Sequence, residues 1–128
     1  MTTLVIDTNA LIFAATNSPK LTARARATME EGGNLLLAST ASVYEVGNKH
    51  CLGKMPFSAT AFHGSCLDLG VLFRAPSVAV MQLAAELEWE ERDPWDRIIA
   101  ATAIDLAGGQ VVTRDEAFDH LAGIERVW

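Results

Sequence analysis

Short apolar runs recur along this chain without period-two alternation, and a stretch of helical spacing separates most of them. The runs are "TLVI" (3–6), "NLLLAS" (34–39), "VLFRAP" (71–76), "QVVT" (110–113) and "IERVW" (124–128). An alternating strand has one face in water, whereas a strand apolar at consecutive positions is covered on both. Such strands, separated by helices, predict an α/β fold: a three-layer α/β/α sandwich around a mostly parallel sheet of about five strands. The 128 residues are 50% hydrophobic and 20% charged, which suits a single soluble domain over 1–128.

Capping residues mark the helices. Thr8 or Asn9 opens a first helix of about two turns. "PKLTARARATMEEGG" predicts a second, stopped by Gly32 and Gly33. Ser39 or Thr40 caps a third over roughly 41–53, and Ser58 a fourth over 58–70. "SVAVMQLAAELEWEE" (77–91) predicts an amphipathic helix capped by Ser77. "DPWDRIIAATAIDLAGG" (93–109) has Asp93 at the N-cap, Pro94 at the first helical position and Gly108-Gly109 as its stop. Its apolar residues cover nearly every side, which predicts burial against the sheet.

In open parallel sheets, ligands sit at the carboxyl ends of the strands. Asp7 follows the first strand directly, and Asp115 follows "QVVT" after Arg114. Asp93 and Asp96 open the buried helix that leads into that strand, and Glu45 lies in the third helix just after "NLLLAS". All are thus near one rim of the sheet. Carboxylates converging there repel one another unless a cation joins them. Oxygen-only ligands suit a hard ion, Mg²⁺ or Mn²⁺, and such a centre supports metal-assisted phosphoryl transfer.

Each acid also has a purely structural reading. Asp7, Asp93 and Asp115 suit helix caps, Asp96 a first-turn charge, and Glu45 a salt bridge to Lys49 four residues on. Thr8, Asn9 and Thr113 are placed either to orient carboxylates and bound water or to serve as turn residues. Lys49, Arg97 and Arg114 flank the rim as candidates for holding substrate phosphate, with surface solvation as the other reading. The acids at 86–91 read as a solvated face. Trp89, Trp95 and Trp128 read as core or interface rather than base-stacking platforms.

The net charge of −6 argues against broad, sequence-independent attraction to nucleic acid, although two divalent ions would bring −6 to −2. Cys51 and Cys66 have no metal-ligand spacing and read as reduced, half-buried fillers. No apolar run approaches the ~20 residues of a membrane span. The first residues lack a basic n-region, so a cytoplasmic location is expected and no membrane contact.

"LVIDTNALI", "ASVYEVGNKHCLGKM", "DPWDRIIAATA" and "VVTRDEAF" occur in an order and spacing that resembles PIN-domain ribonucleases. They look most like the VapC-type toxins of toxin–antitoxin modules, over residue 4 to about 120. The resemblance implies a PIN-like fold and an acidic quartet of Asp7, Glu45, Asp96 and Asp115 as catalytic metal ligands. Thr113 matches a hydroxyl position beside the last acid, Thr8 and Asn9 the polar pair after the first, and Asp93 an extra acid whose role is helix capping. Trp95 stands where phenylalanine is more usual, and Glu91 where histidine is frequent. The implied activity is Mg²⁺- or Mn²⁺-dependent endonucleolytic cleavage of RNA. The implied partners are the RNA substrate, a second copy in a homodimer, and an antitoxin protein that inserts a segment into the acidic site.

The expectation is therefore a toxin ribonuclease. One alternative is a PIN-like binding module that has lost its chemistry. Another is a receiver-like Mg²⁺-binding signalling domain, which would want an acidic pair after strand one and a lysine after a late strand. This chain has Thr8-Asn9 and Arg114 there.

Overall fold

The computed structural model describes residues 2–128. In chain order the elements are β1 (Thr3–Ile6), α1 (Thr8–Ala15), α2 (Ala23–Glu30), β2 (Leu35–Ser39), α3 (Thr40–Cys51) and α4 (Ala59–Asp68). There follow β3 (Leu72–Arg74), α5 (Val78–Glu86), α6 (Pro94–Leu106), β4 (Gln110–Val112), a 3₁₀ turn (Glu116–His120) and β5 (Glu125–Val127).

The five strands form one sheet in the order β3-β2-β1-β4-β5, and every neighbouring pair is parallel. Successive strand residues point to opposite faces. Leu4, Ile6, Leu36, Ala38 and Val112 enter one core with Leu11 of α1, Ala25 of α2, Val46 of α3 and Phe62 of α4. Val5, Leu37 and Val111 enter the other, with Ile99, Ala100 and Ala103 of α6 and Phe118 of the 3₁₀ turn. α5 joins α6 through Val80, Ala84 and Ala101. Both faces of the central strands are covered, which is why those strands do not alternate, whereas the edge strand β3 is exposed at Leu72 and Arg74; the result is the expected α/β/α sandwich. The chain winds from β1 towards β3 with helices on one face, then returns through α6 to β4 with helices on the other. The helices change face because crossovers between parallel strands keep one hand.

The reversal falls between β1 and β4. Their carboxyl ends lie side by side, and the Asp7 N–H donates to Val112 O at 3.1 Å. This is the crevice where doubly wound sheets bind ligands.

Most caps are as the sequence predicts. The side chains of Ser58, Ser77 and Asp93 each accept from the N–H groups of their helices. Three expectations are corrected. α2 begins at Ala23, because Thr22 caps it and leaves Pro19 and Lys20 outside. α5 ends at Glu86 instead of continuing to residue 91, for a reason that lies in Arg97 and is given below. Cys66 is buried on the inner face of α4, where burial pushes its thiol up to about 11, but Cys51 closes α3 and is exposed rather than half-buried. No helix among the described residues is long and apolar enough to cross a membrane.

Gly109, at the turn from α6 into β4, has φ +84°, and a Cβ there would lie 1.8 Å from Gly123 O. Its carbonyl also accepts from Glu125 N–H at 2.8 Å, so the close approach locks β5 onto β4. Gly109→Ala is expected to lower unfolding stability by about 3 kcal/mol. Gly33→Ala, which meets nothing within 4 Å, should stay within about 0.5 kcal/mol. Urea unfolding of both variants checks this, and equal midpoints would contradict it.

Candidate active site

Asp7 sits one residue past β1, where it caps α1. Its Oδ1 accepts from Ala10 N–H at 2.7 Å, and its Oδ2 accepts from the Thr113 hydroxyl, 106 residues away. The Thr113 Oγ1 in turn accepts from Asp115 N–H at 3.0 Å. One hydroxyl therefore links the end of β1 to the loop after β4. Thr113 is fully buried, and Asp7 is 5% exposed. Burial pushes the Asp7 carboxyl up to about 6, with Glu45 and Asp115 adding repulsion against the two hydrogen bonds that lower it. The capping role weighed above is present, and the same carboxylate stands at the rim.

Glu45 lies buried on α3. The Thr8 hydroxyl donates to its Oε1 at 2.7 Å and lies 2.9 Å from Ser42 Oγ. Lys49 Nζ meets Oε2 at 2.9 Å, so the predicted helix salt bridge is present. Lys49 thereby engages an acid of the rim itself.

Asp96 occupies the first turn of α6. Burial raises its carboxyl to about 7, followed by repulsion from Asp93, Asp115, Asp7 and Glu91. Asp115 is exposed and caps the 3₁₀ turn, its Oδ1 accepting from Ala117 N–H at 2.9 Å. Carboxylate oxygens of Glu91, Asp96 and Asp115 lie within 4.8 Å of one another, close enough to hold one metal ion. Asp7 and Glu45 stand beside that trio, Asp7 within range to raise Asp96 and Glu45 within range to raise Asp7. Asp93 caps α6 through Trp95 N–H at 2.8 Å.

Glu91 corrects the reading of residues 86–91 as a solvated face. It lies in an extended segment after α5, and its Oε1 accepts from Asp93 N–H at 3.0 Å. Arg97 explains the segment. It was a candidate phosphate ligand, yet it is only 4% exposed and its guanidinium is taken up by backbone carbonyls. Its Nε donates to Ala84 O at 2.8 Å. Its Nη1 donates to Trp89 O at 3.1 Å and Glu91 O at 2.7 Å, and its Nη2 to Leu87 O at 2.6 Å and Ala85 O at 3.4 Å. One guanidinium thus serves carbonyls that a longer α5 would have used internally. The chain leaves the helix, inserts Trp89 against Phe118, and brings Glu91 to the rim.

The remaining candidates divide. Arg114 is exposed beside Asp115, its guanidinium 5.0 Å from the Phe13 ring centre. Lys20 approaches the same ring at 5.9 Å. Asn9 is exposed on α1, and its side chain hydrogen-bonds no other group among the described residues.

The structure is a parallel α/β/α sandwich with a cluster of carboxylates at its topological switch point, three of them close enough together to hold one cation. The PIN domain family matches residues 4–124, and the chain belongs to that family. Membership removes the receiver-like alternative. Among solved structures, the crystal structure of VapBC2 from Rickettsia felis bound to a DNA fragment from their promoter is similar, with a TM-score of 0.69 and 18% sequence identity. The match covers 99% of this chain and 100% of that one, and at this identity it is a likeness of fold. A comparison with curated proteins found no match.

Asp7 and Asp96 hold protons more tightly when folded than at their ordinary value of 3.8, so folding takes up protons. With respect to these groups the metal-free protein is most stable at low pH, and loses that stability as pH rises through about 6 and about 7. In chelator, Asp7→Asn should gain melting temperature on the parent as pH rises from about 4 to about 6 and level off above that, and at the higher pH Mn²⁺ should narrow the gap by stabilising the parent. A pH-independent difference between the two would refute the assignment. Arg97→Met leaves several carbonyls without their donor and should cost about 3 kcal/mol or more, with Arg97→Lys rescuing little because an ammonium lacks the planar fork. Denaturant midpoints decide it, and a loss under about 1 kcal/mol would show the loop held by other contacts.

Proposed function

We propose that residues 1–128 form a single PIN domain acting in the cytoplasm as a divalent-metal-dependent endoribonuclease, the toxin of a toxin–antitoxin pair. The observation that carries this reading is the meeting of Asp7, Asp96 and Asp115 from three distant stretches of chain, two of them with raised carboxyl pKa values. Crowding partly buried acids against one another opposes folding, and a cation relieves it.

The residues fit such an ion. The donors are all carboxylate oxygens with no histidine or cysteine among them, which suits Mg²⁺ or Mn²⁺. Asp7, Glu45, Asp96 and Asp115 would hold it, directly or through water, and Glu91 would join Asp96 and Asp115. Bound there, the ion supplies Lewis acidity toward a phosphate oxygen and toward water. The protein groups fix the geometry. Thr113 and the Ala10 N–H keep the Asp7 carboxylate from rotating, Thr8 does the same for one oxygen of Glu45, and Lys49 holds the other. Arg114, exposed at the rim, is placed to meet a substrate phosphate.

The toxin assignment draws on the family and on the fold shared with a VapBC complex. The partners proposed are RNA, a second copy of the chain, and an antitoxin whose basic segment would complement the acidic rim.

The test is Asp7→Asn, assayed on single-stranded RNA with Mg²⁺ or Mn²⁺ and by growth on induction. Cleavage is expected to fall roughly a hundredfold or more and growth inhibition to disappear. Calorimetry of the parent with Mn²⁺ separates an active nuclease from a module that has lost its chemistry. Undiminished cleavage by the variant would remove the reading.

A further inference from the structure

The acids at this rim make a poor surface for an anionic polymer, and the chain as a whole carries −6. Counterion release therefore offers little affinity, and a substrate must be held in another way. Beside the rim stands a pair of aromatic rings that the fold does not use. Tyr44, on α3, immediately precedes Glu45, and Trp95, on α6, immediately precedes Asp96. Their ring centres are 5.7 Å apart, with the planes inclined by 37°. The pair bridges the two helices at the level where each contributes an acid.

Tyr44 is 65% exposed and Trp95 is half-buried. Neither the Tyr44 hydroxyl nor the Trp95 indole N–H hydrogen-bonds to another group among the described residues. Trp89 differs: it is buried against Phe118, and its Nε1 donates to Ala117 O at 3.0 Å. Trp89 is a core residue, whereas Tyr44 presents most of a large flat ring to water. An aromatic ring exposed beside a phosphodiester-cleaving centre has the chemistry of a base-stacking surface, since every base offers a π face.

We propose that Tyr44 and Trp95, the latter read from the sequence as core or interface, form a stacking platform that holds one unpaired base of a single-stranded RNA next to the phosphate to be cut. The proposal rests on the nuclease reading and adds a substrate-binding element to it. It selects unpaired over duplex RNA, because the bases of a duplex are already stacked on their neighbours. It also supplies an affinity that salt does not screen, suited to an acidic protein.

The experiment uses the full chain carrying Asp7→Asn, so that a fluorescein-labelled single-stranded oligoribonucleotide stays intact while its binding is read by anisotropy. Adding Tyr44→Ala is expected to weaken binding about tenfold, while Tyr44→Phe keeps it within about twofold. Trp95→Phe, which retains a ring, should do likewise. On the otherwise unaltered protein, Tyr44→Ala should raise KM more than it lowers kcat. Circular dichroism confirms that each variant is folded, and Mn²⁺ calorimetry of Tyr44→Ala on the otherwise unaltered protein confirms that its centre is intact. If RNA is cleaved by the parent yet bound equally by the folded Tyr44→Ala variant, the platform is overturned and the nuclease reading stands. If Tyr44→Ala spares RNA binding and instead abolishes self-association in sedimentation, the rings belong to a protein contact and the platform is likewise overturned. If the parent neither binds nor cleaves RNA, both readings fall together.

Discussion

The arrangement at the carboxyl rim depends on one hydrogen bond between side chains far apart in sequence: the Thr113 hydroxyl to the Asp7 carboxylate. It exists because β1 and β4 are neighbours in the sheet although most of the chain lies between them. A strand ending in a carboxylate is ordinarily a liability, since the charge must leave water. Here the strand end is also a helix start, and the Ala10 N–H and the Thr113 hydroxyl replace part of the lost hydration. The replacement is incomplete, as the raised carboxyl pKa records. Binding a cation would use the same deficit that opposes folding in its absence.

The opposite problem is solved at Arg97. A buried guanidinium without a carboxylate partner would be costly, but this one is met by backbone carbonyls on the turn that leaves α5. The result is geometric. The segment from Leu87 to Arg92 can be irregular because the Leu87, Trp89 and Glu91 carbonyls keep a donor, and its irregularity carries Glu91 to Asp96 and Asp115. A positive charge within the fold thus positions a negative one at the rim. Replacing the arginine with an apolar residue would require the segment to find other donors or return to helix.

What was legible in the sequence follows from the range of each interaction. Caps act over three or four residues, so Ser58, Ser77 and Asp93 announced their helices, and Pro94 and Gly109 bounded α6. The two-sided burial of the strands was legible because it suppresses alternation locally. Asp7 and Asp115 were legible as strand-end acids because parallel sheets share one carboxyl rim. Strand order was not, since nothing within a strand names its neighbour. Glu91 was hidden for a related reason: the helical pattern through residue 91 is real, and only a side chain from the next helix interrupts it. Arg97 looked like a surface cation because its partners are carbonyls, which carry no sequence identity.

The rim's electrostatics also constrain how a polyanion can be held there. Asp7, Glu45, Glu91, Asp96 and Asp115 place five carboxylates around a small volume, with Lys49 as the basic side chain paired into it. A divalent ion held there would remove part of that field, but only at the centre itself. Away from it a strand of the proposed substrate would meet Arg114 and Lys20 on the Phe13 side and the Tyr44–Trp95 rings on the α3–α6 side. Attraction on one flank and uncharged contact on the other would orient a single strand across the acids without demanding a basic surface. On the proposed reading, an acidic protein would act on an acidic polymer because recognition and charge neutralisation fall to different groups.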